Sequence, residues 1–186
     1  MDTGTQQLYQ CLVATLDPST CKAAEAALAA GSSQPGFGTS LLRIVLLKEA
    51  PYGIRQLAAM VLKKHVREHW TFESPHFLEP PVDEGEKAQI REMLPTGLSD
   101  ENSKIRTAVG MAIAAIAKWD CPQQWPNLLP GLVHAITDKK DINLGEWRSH
   151  VHEHQLLLSK HCVTNWEAAA LLLRLVCSAF SGFQPK

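Results

Sequence analysis

From Ile54 to Trp70 the chain reads IRQLAAMVLKKHVREHW, and its apolar positions fall at spacings of three and four. Ile54, Leu57, Ala58, Val61, Leu62 and His65 form one stripe, the pattern of a helix that lies against a neighbour. Gln56, Met60, Lys63, Lys64 and Arg67 take the opposite face. The stretch returns once downstream as IRTAVGMAIAAIAKW, Ile105 to Trp119, with Ile54/Ile105, Arg55/Arg106 and Met60/Met111 identical at a constant offset of 51. Small or aliphatic residues fill the places between in both copies: Ala58/Val109, Ala59/Gly110 and Leu62/Ile113. Each copy follows a second amphipathic stretch and a short turn. The unit is therefore a helical hairpin that buries its apolar face by stacking on the next one.

The rest of the chain extends this pattern. Gln6–Leu16 sets Leu8, Cys11, Leu12 and Thr15 or Leu16 on one face and stops at Asp17-Pro18, where Asp17 is expected to cap a helix over Ser19–Ala30. That helix is a weaker third copy, with Cys21, Ala24, Glu25 and Leu28 in the places of Arg55, Ala58, Ala59 and Leu62. Phe37–Lys48 is a helix that turns at Glu49-Ala50-Pro51 into the Ile54 helix. FESPHFLEPPVDE, with three prolines and several acids, reads as an exposed insertion that stretches the offset beyond the usual ~40 to 47 residues. Glu84–Leu98 is the next first helix, Ser99-Asp100 the cap of Glu101–Trp119, and Trp125–Asp138 opens a fourth unit. In that unit Trp125, Leu128, Leu129, Leu132, Val133 and Ile136 share a face, and Pro130 is expected to bend the helix. Beyond Asp141 the template fails. A capping box at Thr164–Glu167 then announces one more helix, Trp166–Phe180, able to cover the open end. The expected fold is all-α: a right-handed solenoid of about three and a half repeats over residues 1–141, and a non-matching, helical capping tail over 142–186.

Composition narrows the function classes. With 45% hydrophobic residues in 186, the chain can bury a core, and 18 basic against 19 acidic residues leave no electrostatic footprint for direct nucleic-acid contact. Five cysteines without regular spacing and a start, MDTGTQQLYQ, without an apolar run point to a reducing compartment. The most apolar run, Ala168–Phe180, has 13 residues including Arg174, too short for membrane insertion.

The repeat of a helix, a Pro or Asp turn and Ile-Arg-x-x-small-x-x-x-aliphatic is similar to the HEAT repeat. IRQLAAMVLKKHVREHW followed by KIRTAVGMAIAAIAKWDCPQQWPNLLPGL resembles, more narrowly, the N-terminal segment of the importin-beta (karyopherin) family over about residues 5–141. The resemblance implies a nucleocytoplasmic transport receptor whose second helices contact the small GTPase Ran in its GTP form. The residues implied in that contact are Gln56, Met60, Lys63, Lys64 and Arg67, with Thr107, Met111 and Lys118 one repeat on. It also implies import cargo as a partner of full-length members, a monomer, and residence in cytoplasm, nucleus and nuclear envelope. The departure after residue 141, with an end at Lys186, is what a truncated or alternatively spliced receptor gives; the alternative function is a HEAT scaffold without transport activity.

Other candidate chemistry is weak. His150, His152 and His154, with His161-Cys162, carry metal-ligand residue types, but only His150 and His154 share a helical face and no Cys-x-x-Cys anchors them, so no metal is expected. No phosphate-cradling glycine motif and no Cys/His/Asp constellation occur, so neither a cofactor nor an enzyme is expected. Arg55 and Arg106 recur one per repeat, which suits a structural ladder with Asp100 and Asp138, and Trp70, Trp119 and Trp125 suit packing between repeats.

Overall fold

The computed structural model describes residues 1–137. They form seven α-helices and one 3-10 turn: α1 (Thr3–Ala14), α2 (Cys21–Gly31), α3 (Phe37–Leu46), α4 (Tyr52–His69), α5 (Glu84–Met93), the turn Leu94–Ser99, α6 (Ser103–Asp120) and α7 (Leu128–Thr137). No strand occurs among the described residues, in keeping with the all-α expectation. Residues group into two compact units, 1–112 and a second from Ile113 on, the boundary falling within α6. Asp138, the histidine cluster around His150 and the expected cap helix Trp166–Phe180 lie outside the described residues.

The first unit is built around α3, which packs against α1, α4, α5 and the 3-10 turn. Leu41, Leu42, Ile44 and Val45 are fully buried, so apolar residues cover most of this short helix and it lies in the centre. Leu8 and Leu12 of α1, Ile54, Ala58 and Leu62 of α4, Ile90 of α5, then Leu94 and Leu98 close around it. Two glycines are required here. Gly36 takes φ +80 immediately before α3, a left-handed conformation that side chains disfavour. A Cβ on Gly97 would stand 2.8 Å from Val109 Cγ2, so the 3-10 turn reaches α6 only because the position is bare. In the second unit Ile113, Ile116 and Ala117 of α6, Trp125, and Leu128 and Leu132 of α7 are buried, with Leu129 half-buried. The side chains of Val133 and Ile136 are outside the described set.

Several expected boundaries shift for identifiable reasons. Asp2 caps α1 by accepting from the Thr5 N–H at 2.8 Å, so that helix starts earlier than Gln6. Asp17 does not cap α2. Its carboxylate takes the Ser19 N–H and hydroxyl in a local turn, and α2 starts at Cys21. Pro95, lacking an N–H, ends α5 at Met93 and leaves a 3-10 turn where one helix to Leu98 was expected. Asp100 is drawn into an ion pair, and Asn102 accepts from the Lys104 N–H at 3.0 Å at the start of α6. Pro130 lies in the first turn of α7, where its missing N–H has no helical acceptor, so no bend is needed.

The insertion is exposed over most of its length, as expected, and it is also anchored. Residues 71–82 double back on the C-terminal end of α4 as a strap. The Leu78 N–H donates to Glu68 O at 2.6 Å, the Val82 N–H to His69 O at 2.8 Å and the Ser74 hydroxyl to Arg67 O at 2.8 Å. These are carbonyls that a helix end leaves without partners, and the strap supplies donors for three of them.

Candidate functional site: the outer face of α4

Two faces of α4 carry different chemistry. The buried one holds Ile54, Arg55, Ala58, Ala59, Leu62, His65, Val66 and His69, while Leu57 and Val61 are half-buried. It is rotated by about one residue from the stripe expected, because Ala59 and Val66 go in and Leu57 and Val61 move to its edge. Arg55 enters this face because its charge is fully met: Nε donates to Val45 O at 2.8 Å and Nη2 pairs with the buried Asp100 carboxylate. Asp100 also accepts from the Asn102 N–H through Oδ1, and its backbone carbonyl accepts from Arg106 Nη1 at 2.7 Å. Arg106 Nη1 reaches Glu101 O as well, at 2.9 Å. Arg55, Asp100 and Arg106 thus meet at one turn. Asp138, the fourth residue set beside them from the sequence, lies outside the described residues.

The opposite face carries Met60, Lys63, Lys64 and Arg67 in the open, with Gln56 half-buried. Met60 is 61% exposed, high for an apolar side chain in a helix with a well-packed inner face. Neither Lys63 nor Lys64 has an ion pair among the described residues, and Arg67 has only a long contact to Glu68 at 3.4 Å. On α6, Thr107 and Met111 are exposed within the first unit, the Thr107 hydroxyl donating to Ser103 O at 2.9 Å. Lys118, in the second unit, is exposed, its Nζ 4.7 Å from the ring centre of half-buried Trp119. Trp70 and Trp125 are buried. Lys87 and Arg91 each lie 5.7 Å from the Trp70 ring, so cations of α5 stack on the last residue before the strap.

Three polar features behind this face had no sequence signal. Glu86 is buried in α5, and its carboxylate accepts from the N–H groups of Gly36 at 2.8 Å and Thr39 at 3.0 Å, capping α3 from 50 residues away. His65 is 5% exposed, its ring edge-on to Phe37 and 4.9 Å from the His69 ring, with neither nitrogen hydrogen-bonded among the described residues. Burial, followed by the neighbouring His69, pushes its pKa down to about 4, so it is neutral at physiological pH. His69 is anchored to the strap through Nδ1 and Pro80 O at 3.0 Å. A glutamate in an acidic stretch and a histidine on an apolar stripe are each common, and only the fold brings their partners to them.

Burial raises the Cys11 thiol, and burial with the Asp120 charge pushes Cys121 up to about 11, which makes both poor nucleophiles. No three histidine, cysteine or carboxylate side chains come together as metal ligands among the described residues. No helix among them is long and apolar enough to cross a membrane.

Residues 24–100 match the importin-beta N-terminal domain. The chain is 31% identical over 156 residues to importin-11 of Mus musculus and of Homo sapiens, covering 84% of this chain and 15% of theirs. Importin-9 of Drosophila melanogaster is 33% identical over 109 residues, 57% of this chain and 11% of that protein. The chain therefore spans about 15% of the length of the curated relatives it matches. Among solved structures, the exportin Cse1 in its cargo-free, cytoplasmic state superposes with a TM-score of 0.63 at 26% identity, over 70% of this chain and 14% of that one. The fold class is that of the HEAT-repeat solenoid, and the relatives are transport receptors on both the importin and the exportin side. The chain belongs to the importin-beta family and matches the N-terminal region of its transport receptors.

Proposed function

We propose that this chain is the Ran-docking N-terminal region of a nuclear import receptor, and that it binds the GTP form of Ran through the outer face of α4. The observation that carries the reading is the pair of lysines without ion partners, Lys63 and Lys64, standing beside exposed Met60 and Arg67 on a helix whose other face is fully packed. Unpaired cations on a rigid helix steer an acidic partner and break no existing ion pair when they bind it. An exposed methionine adds a polarizable apolar contact that adapts to its partner. Gln56 on α4 and Thr107 and Met111 on α6 complete the proposed set within residues 1–112, and Lys118 is proposed as a further contact in its own unit.

Import rather than export is the direction proposed, because importin-8, importin-9 and importin-11 all match, although the importin alpha re-exporter of Saccharomyces cerevisiae does so too, at 29% over 120 residues. Cargo binding, residence in cytoplasm, nucleus and nuclear envelope, and a monomeric state belong to the same proposal, as does the division into repeats over 1–141 and a cap over 142–186. Catalysis has no part in it.

Titration of the chain with GTP-loaded and GDP-loaded Ran tests the reading. The GTP form should bind, the GDP form should not, and Lys63→Glu with Lys64→Glu should weaken binding at least ~10-fold, the scale of losing two interfacial charges. Equal binding of both nucleotide forms, or none of either, would favour a HEAT scaffold without transport activity.

A further inference from the structure

We infer that the strap over residues 71–82 is the apolar half of the same docking surface. Phe72, Leu78 and the edge of Phe77 would seat an apolar patch of the partner that borders the acidic patch met by Lys63, Lys64 and Arg67. This inference rests on the reading of the α4 face as the Ran-docking surface.

The strap ends α4 with its backbone bound and its largest side chains outward. Phe72 is 69% exposed and Leu78 54%, the most exposed large apolar residues between Leu16 and the end of the described chain apart from Met60. They do not hang on a loose loop. Leu78 is bonded through its N–H to Glu68 O, Ser74 holds Arg67 O, and Phe72 packs on Phe77 with ring centres 4.6 Å apart. His69 and Val82 fix the far end of the strap to the last turn of α4. Water-exposed aromatic and aliphatic side chains held in place in this way lose little freedom on binding, which is the condition under which an apolar anchor contributes affinity.

Position gives the occupant. The strap's bonds run to the carbonyls of Arg67, Glu68 and His69, so it is anchored at the end of α4 beside the residue that closes the basic face, Arg67. A partner seated on Lys63, Lys64 and Arg67 reaches the end of α4 within one helical turn. Its chemistry there follows: acidic over the helix and apolar over the strap. The strap's own Glu73 and Glu79 are exposed, so an anionic partner could approach it only through contacts that are apolar at this point.

The test uses the full 186-residue chain and GTP-loaded Ran as the probe. Phe72→Ser with Leu78→Ser should raise Kd about 10-fold or more, the scale of losing one or two buried apolar anchors. Leu16→Ser, an equally exposed apolar residue at the α1–α2 turn, should leave Kd unchanged. Circular dichroism and the unfolding midpoint of each variant separate a binding effect from a folding one, and Phe72→Tyr, which keeps the ring, should bind nearly as wild type. If Lys63→Glu with Lys64→Glu abolishes binding while Phe72→Ser with Leu78→Ser does not alter it, the strap inference is overturned and the α4 reading stands. If wild-type chain does not bind GTP-loaded Ran, both fall, and an equal loss from Leu16→Ser also overturns the strap inference.

Discussion

At the scale of single residues, charges and imidazoles stand where water hardly reaches: Arg55, His65, His69 and Asp100 are all buried. Asp100 is the sole carboxylate paired with Arg55 among the described residues, and both side chains are under a tenth exposed. Asp100→Ala should therefore cost roughly 3–5 kcal/mol in urea unfolding, because it strands a buried guanidinium, whereas a change at an exposed carboxylate such as Glu49→Ala should cost far less. His65 makes a pH prediction. Its folded pKa of about 4 lies below the ordinary value of 6.5, so the fold holds the neutral ring and the unfolded chain takes up the proton. The stability this provides is complete above pH 6.5 and is lost as pH falls through 6.5 towards 4, amounting to roughly 3 kcal/mol. His65→Leu should flatten the unfolding profile in that window and leave the further loss below it. That later loss belongs to groups such as Asp2 and Glu84, whose pKa values are lowered by the Thr5 N–H and by Lys87. An unchanged slope between pH 6.5 and 4 in His65→Leu would remove His65 as the cause.

At the scale of elements, the helices themselves were legible because their apolar positions recur at helical spacing between turns marked by proline, aspartate or glycine, and because the α4 pattern recurs in α6. What periodicity could not show was where their ends find partners. Glu86 caps α3 across 50 residues, an arrangement invisible to any local rule, and Pro95 converts the last turn of α5 to 3-10 form. The strap was legible in part for the same reason: its prolines signal an exposed excursion from helix, but they do not reveal that Leu78, Val82 and Ser74 turn back to the α4 carbonyls. Glu86→Ala should leave two N–H groups at the α3 terminus without an acceptor and lower stability on the order of 2–4 kcal/mol, with Glu86→Gln recovering about half. Chemical denaturation reads both. Because α3 is the centre of the first unit, hydrogen exchange in Glu86→Ala should rise first at Phe37–Ser40 and only later along α4; uniform acceleration would mean that the carboxylate supports the unit as a whole rather than one helix end.

For the molecule as a whole, the family was readable from residues that build the solenoid, the Ile-Arg pairs and the tryptophans, while the proposed partner surface is made of residues the core does not constrain. Met60, Lys63, Lys64 and Arg67 could be placed outward from spacing alone, since the opposite face was apolar. Their significance could not be read the same way, because a solvated basic face looks identical in one sequence. Lysine footprinting separates the two directly. Acetylation of the chain is followed residue by residue, free and with saturating GTP-loaded or GDP-loaded Ran. Lys63 and Lys64 should be protected several-fold by the GTP form alone, while Lys22 and Lys48, exposed elsewhere in the first unit, should react as in the free chain. A complex that forms with GTP-loaded Ran and leaves Lys63 and Lys64 fully reactive would contradict the account.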